Sequence, residues 1–298
     1  MKKNIIFLLV FVVVVLLFLV IWLSRGSKKQ IGNFVAQKQI PPKSHSAYFM
    51  QDNFYTGITN PEKVEPIEKK VFGGIVSHHF YVEREIAKLF SSWAKQNYEV
   101  IVLLGPNHFS AGKGDLIVSQ QPYNTPWGFL YPEAKIISQI LNSNLAKAEE
   151  DIFTREHSMS VEVGFIKHQF PNAKIVPIVI RYNISKEKIL YLAKLLNEVL
   201  PENFLVLASV EFSHHVTNLV AQKQDAQSIT HIKNFDLDSI LKLPSTQMDS
   251  PASIYGLLKY LELKDAKQIK FTNTNAALVS GNVENTDVTS YVFASFFK

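Results

Sequence analysis

The sequence predicts an α/β fold: a largely parallel central sheet with helices on both faces, preceded by an N-terminal transmembrane helix. Three observations lead there. Val/Ile/Leu runs recur without interruption, at VFGGIV (71–76), EVIVLLG (99–105), KIVPIVI (174–180) and FLVLASV (204–210). Helical patterns separate them, and such runs are what strands covered on both faces look like. A single long apolar segment stands near the start of the chain.

That segment, 4–23, contains IIFLLVFVVVVLLFLVIWL and no charge. A helix of this length can cross a hydrocarbon core of about 30 Å. A cleaved signal peptide would show a shorter apolar region and a small-residue cleavage site, so the expectation is an uncleaved, single-pass anchor at residues 1–24. An N-terminal anchor usually leaves the long C-terminal part outside the cytoplasm, and that orientation is adopted. Residues 25–44 read as a linker, with prolines at 41 and 42, and residues 45–298 as one α/β domain. The aromatic stretch AYFMQDNFY (47–55) is expected to pack on it already.

Charge excludes one class of partner. Of the 31 basic residues, five (Lys2, Lys3, Arg25, Lys28, Lys29) fall in the first thirty positions, where none of the 26 acidic residues does. The remainder is electrically balanced, with no basic footprint for nucleic acid. The chain has no cysteine, which removes disulfides, lipid-modified cysteines and thiolate metal ligands.

Within the domain, each element follows from its pattern. The helix EREIAKLFSSWAKQ puts Ile86, Leu89, Phe90 and Trp93 on one face. EKILYLAKLLNEVL (187–200) forms the helix between two strands, IYGLLKYL (254–261) another, and VTSYVFASF (288–296) closes the chain as a strand. Gly73-Gly74 is explained by close packing or local twist, and NTPWGF (124–129) is a turn that serves as surface loop or pocket wall.

Three histidines fall just beyond strands: His78 after VFGGIV, His108 after VIVLLG, and His214 after LVLASVEF. Ligands of open α/β sheets bind beyond the carboxyl ends of the strands. Imidazoles gathered there suit zinc, copper, iron or nickel, and an added carboxylate suits non-haem iron. A fourth, His157, opens a helical stretch. His45 is expected in the stalk, and His168 and His231 on solvated helix faces. Nucleotide-binding glycine loops, HExxH and GxSxG are all absent.

The order GGIVSHH, LLGPNHF, YNTPWG, REHSMSVEVGF, ASVEFSHH and TSYVFASF resembles the Memo family, whose bacterial members are also called AmmeMemoRadiSam system protein B. The resemblance runs from Val71 to the C-terminus. It implies a fold similar to class III extradiol dioxygenases, non-haem iron enzymes that open catechol rings. It aligns His78 and His108 with the family's PHAG and GPSH histidines, and Glu211 and His214 with its SSDFxHW segment. His157 aligns with the histidine of its EHS segment, and Ser160 replaces the glutamate that follows. Asp249 stands where members carry a cysteine. The implied set is a divalent metal (iron favoured, copper or zinc possible) on His78, His108 and Asp249, with His214, His157 and Glu211 as catalytic groups. Asp249 has an alternative role as cap of the helix starting near Pro251.

The functional expectation is a membrane-tethered, metal-dependent oxidoreductase acting on a small, phenolic molecule. Its alternatives are a non-catalytic metal- or peptide-binding module and a zinc-type hydrolase.

Overall fold

The computed structural model describes residues 42–298, and of the rest only Leu16 and Leu19, both helical. Apart from those two residues, the apolar segment 4–23 and the start of the predicted linker therefore lie outside the described residues. Among the described residues, no helix is long and apolar enough to cross a membrane. Pro42–Lys298 forms one unit.

Its centre is a mixed eight-stranded sheet. In chain order the strands are β1 (Val71–Val76), β2 (Val100–Pro106), β3 (Leu116–Val118), β4 (Lys147–Ala148), β5 (Lys174–Ile180), β6 (Phe204–Ser209), β7 (Gln268–Asn275) and β8 (Ser290–Phe297). They lie in the order β7-β8-β1-β6-β2-β5-β3-β4. The four central strands β1, β6, β2 and β5 run parallel, and these are the four Val/Ile/Leu runs of the sequence. The flanks depart from the predicted parallel arrangement: β8 pairs antiparallel with β1, β7 with β8, and β3 with β5. The reason is connectivity. β3 follows β2 with no crossover helix, and β8 follows β7 through only residues 276–289, so each returns in the reverse direction. β7 was not legible as a strand because QIKFTNTN is polar and mostly solvent-facing at the sheet's edge.

Both faces of the four central strands are buried. Along β2, Val100, Val102 and Leu104 enter one apolar core, while Ile101 and Leu103 enter the other, as the two-residue period of a strand requires. Helix α1 (Glu83–Ser92) buries Ile86, Leu89 and Phe90 in the second core. The chain continues through α2 (Ala134–Asn142), α3 (His157–Ser160), α4 (Glu162–Gln169), α5 (Lys186–Val199), α6 (Asn218–Lys233), α7 (Pro251–Leu263) and α8 (Ala276–Ser280). Helices α5 and α7 cover the first core with Ile189, Leu192, Leu257 and Leu261. The glycine pair is there for packing. A Cβ on Gly73 would lie 2.7 Å from a Leu257 methyl carbon, and one on Gly74 would lie 2.8 Å from Trp93.

The aromatic stretch before β1 packs on the fold, with Tyr55 buried against Trp127 and Phe165. NTPWGF forms the turn of a small hairpin (Tyr123–Thr125 with Gly128–Leu130), where Gly128 takes a positive φ of 96°. His45 is not part of a solvated stalk. It is buried, and its Nε2 lies 2.9 Å from both Ser119 Oγ and Glu150 Oε2. One ring nitrogen meets both partners, so the cluster ties down the chain and lacks the two-sided relay of a nucleophilic triad.

Candidate metal centre

The parallel strands deliver their carboxyl ends to one edge, and the chain beyond them builds the site. Ser77 and His78 follow β1, Asn107 and His108 follow β2, and Glu211 lies two residues beyond β6. His78 is buried, and its Nδ1 is hydrogen-bonded to Ser209 Oγ at 3.1 Å. That bond fixes the ring and turns Nε2 toward the centre.

His108 is fixed in the same way by a stronger partner. Its Nδ1 donates to Glu156 Oε1 at 2.6 Å, and its backbone N–H donates to Glu156 Oε2 at 3.0 Å. Glu156 is fully buried and also caps α3 by accepting from the Ser158 N–H. Burial works against its charge, but the His108 ring and these donors hold its pKa below the ordinary carboxylate value. A carboxylate behind a histidine sets the tautomer and raises the basicity of the outer nitrogen, as is common around metal-binding imidazoles.

Asp249 completes the centre. Its Oδ2 lies 3.1 Å from His78 Nε2 and 3.5 Å from His108 Nε2. The capping alternative falls to its neighbour: Ser250 is the N-cap of α7, its hydroxyl accepting from the Ser253 N–H, and Pro251 takes the first helical position. The Asp249 backbone N–H is held by the Glu211 carbonyl at 3.1 Å, which pins the loop against the end of β6. Burial alone would raise the Asp249 pKa, but the adjacent His78 and His108 lower it to about 2. In the His108 ring, burial disfavours the charge, and Asp249 and Glu156 overcome it and raise the pKa to about 10.

Whether these residues fit a metal is tested by what they leave unpaired. His78 Nε2 and both Asp249 oxygens are buried and have no hydrogen-bond partner, although the nitrogen and Oδ2 are in close contact. Buried polar atoms are nearly always paired, and three orphans on two adjoining side chains are donors a cation satisfies. The residues fit.

Two further groups approach. His157 stacks on His108 with ring centroids 4.0 Å apart and meets His78 edge-on at 5.2 Å. Ligand atoms of His78, His108 and His157 all lie within 4.8 Å of one another, as do those of His78, Glu211 and Asp249. Burial, and then the charges of His108 and His78, lower the His157 pKa to about 4, so this ring is neutral near pH 7. Its position depends on Gly105 at the end of β2, where a Cβ would lie 2.7 Å from Met159 Cε and 2.8 Å from Ser158 Oγ. A larger residue there would force Ser158, and α3 with it, to shift.

His214 is not joined to the cluster. Its Nδ1 is bonded to the Phe212 carbonyl at 2.8 Å, and its backbone N–H is bonded to Thr246 O. Among the described residues, no hydrogen bond, ion pair or ring contact links it to His78, His108 or Asp249. The third imidazole that meets His78 and His108 is His157, which the family alignment also offered as a catalytic group. His79, beside His78, turns away and bonds Tyr291 OH through Nδ1 at 2.7 Å. Glu156 and Ser209, which orient the two histidines, were not foreseen as site residues. The available signal was a carboxylate directly before a helix-opening histidine, the composition of an N-cap.

The Memo-like protein family profile matches residues 51–295. A MEMO1 family protein of Pyrobaculum aerophilum is 29% identical over 184 residues, 59% of this chain and 65% of that protein. One of Caldivirga maquilingensis is 32% identical over 170 residues, covering 56% and 57% of the two chains. One of Desulfurococcus amylolyticus is 25% identical over 245 residues, covering 78% and 82%. The chain thus spans about three fifths of the length of the first two relatives. With the family profile extending from the aromatic stretch through the last strand, and with the strand-end histidines among the matched residues, the chain belongs to the Memo-like protein family.

Proposed function

We propose that this is a membrane-anchored protein whose His78, His108 and Asp249 hold one divalent metal, iron by preference, for oxidoreductase chemistry on a small phenolic molecule. The observation that carries the reading is the convergence of buried, unpaired donor atoms from His78 and Asp249, with His108 Nε2 beside them. Two imidazoles and one carboxylate leave coordination positions open, the arrangement that suits non-haem iron. Iron bound there would supply Lewis acidity and one-electron redox chemistry. The chain's own part is to orient the ligands through Ser209 and Glu156, and to place Glu211 and His157 where they can accept a proton from a bound hydroxyl. The anchor is supported by the twenty uncharged residues 4–23, which suit a single-pass cell-membrane protein with its domain outside the cytoplasm.

A second reading rests on the three-histidine group. His78, His108 and His157 could hold zinc with an open fourth position, as in zinc hydrolases. Elemental analysis of the full chain purified without chelators separates the readings. Iron at one equivalent supports the first and zinc the second. A chain that retains no metal after reconstitution with either would be a binding module, contrary to the proposal.

A further inference from the structure

The edge of the sheet that carries the metal centre also carries exposed apolar surface. Leu219 and Val220 in the first turn of α6, Leu278 and Val279 in α8, and Val283 just beyond it are between 41 and 77% exposed. They form one patch. Beneath them Ala221, Ala277 and Val288 share a small buried cluster, Asn275 Nδ2 donates to Asn218 Oδ1, and Asn218 Nδ2 donates to the Val283 carbonyl. Topology places the patch at the site's end of the molecule. β7 is antiparallel to β8 and β8 to β1, so β7 runs with β1 and ends, at Asn275, on the side where His78 emerges. Helix α6 begins on the same side, after β6.

The centre's own border is apolar as well. Tyr81 follows the His78 turn, Phe109 follows His108, and Tyr48 is bonded through its N–H to the Ser160 carbonyl at the end of α3; all three are about half exposed. Arg155 lies over the Phe109 ring, 4.5 Å from its centroid. Aliphatic side chains bordered by tyrosine and arginine suit the boundary between lipid tails and head groups. Large exposed apolar patches on a folded domain mark an interaction surface.

We propose that the site-bearing end of this domain rests on the bilayer surface through the patch on α6 and α8, which would present the metal centre to ligands dissolved in the membrane. The inference rests on the anchor reading and names lipid as the occupant because of chain length. Between the apolar segment and Pro42 lie residues 24–41, which when fully extended reach about 60 Å at most. A domain held this close meets the bilayer at high effective concentration, so a modest patch is enough to dock it. Glu284 follows Val283, Asp287 is paired with His215, and Lys223 lies one turn beyond Leu219, so the border of the patch lacks the basic cluster that would favour anionic lipid over zwitterionic lipid.

The chain's lack of cysteine makes the test direct. Full-length Leu278→Cys, Leu219→Cys and Glu202→Cys are each labelled with an environment-sensitive fluorophore and reconstituted into phosphatidylcholine nanodiscs with and without doxyl-labelled lipid. Glu202 precedes β6 at the opposite end of the sheet and serves as the control. Fluorescence at positions 278 and 219 should fall by about twofold with doxyl lipid while that at 202 stays unchanged, as expected for side chains at the acyl boundary. Quenching no greater at 278 and 219 than at 202 overturns the proposal. So does a blue shift at 278 and 219 without quenching, which would mean that a second copy or another protein covers the patch, and so does failure of the chain to co-purify with the discs. Iron content of the same samples is measured in parallel. Loss of iron with retained quenching would count against the metal reading alone.

Discussion

Asp249 Oδ2 lies 3.1 Å from His78 Nε2, yet no hydrogen bond joins them. The nitrogen and the carboxylate face a common point from two different elements, one after β1 and one before α7. In a buried position this is costly unless something cationic stands between them, because a buried unsatisfied polar group loses about 1–3 kcal/mol. Metal binding should therefore also stabilise the fold. Adding Fe(II) or Zn(II) anaerobically at 100 times the dissociation constant should contribute about 2.7 kcal/mol, read as a rise in the unfolding midpoint. An unchanged midpoint at saturating metal would count against the centre.

The division of labour between Asp249 and Ser250 predicts a separable pair of phenotypes. Ser250→Ala removes the cap of α7 and should cost about 1 kcal/mol of stability, with metal affinity little changed. Equilibrium denaturation and a metal titration on the same variant check this. A large loss of affinity without a stability cost would reverse the assignment.

Glu156 acts through His108. Glu156→Gln keeps the shape but removes the charge that fixes the ring, and loss of such a partner typically costs 10–100-fold in metal affinity. Competition titration with a chelating dye measures it. An affinity within about twofold of the parent would show that Glu156 only caps α3.

Much of this arrangement was legible in the sequence because strand ends are legible. The runs before His78 and His108 are too apolar to be anything but buried strands, and parallel strands place their ends together. Asp249 could be named only because the order of motifs resembled a family. Its role hung on which residue caps α7, and that depends on one step of register between Asp249 and Ser250. His157 was named from the family's EHS segment, but its stacking on His108 was not legible. Glu211, and not His214, lies nearest the end of β6. The approach of His157 depends on α3 packing against Gly105, a contact between segments fifty residues apart with no periodic signature. The buried His45 was hidden for the same reason, since its partners Ser119 and Glu150 are far along the chain.

Glu162 lies outside the centre and carries its own test. It is fully buried in α4, both oxygens lack partners, and burial raises its pKa well above the ordinary value. A carboxyl whose folded pKa is raised contributes stability below its unfolded pKa, and that contribution is lost as pH rises toward the folded pKa. Glu162→Gln should therefore raise the unfolding midpoint at neutral pH, with a gain that shrinks as pH falls toward about 4.5, near the unfolded value for glutamate. Parallel melts at pH 4 and pH 7.5 measure it. A gain that is equal at both values would show that burial does not raise the Glu162 pKa above its unfolded value.

The central claim is that one metal is shared by two histidines and an aspartate. Anaerobic Fe(II) titration of the full chain beside His78→Ala, His108→Ala and Asp249→Asn tests it most directly. The account predicts one equivalent bound by the parent and a loss of affinity of at least about tenfold, or 1.4 kcal/mol, in all three variants. Parent-like affinity in Asp249→Asn, with binding abolished in the two histidine variants, would contradict it.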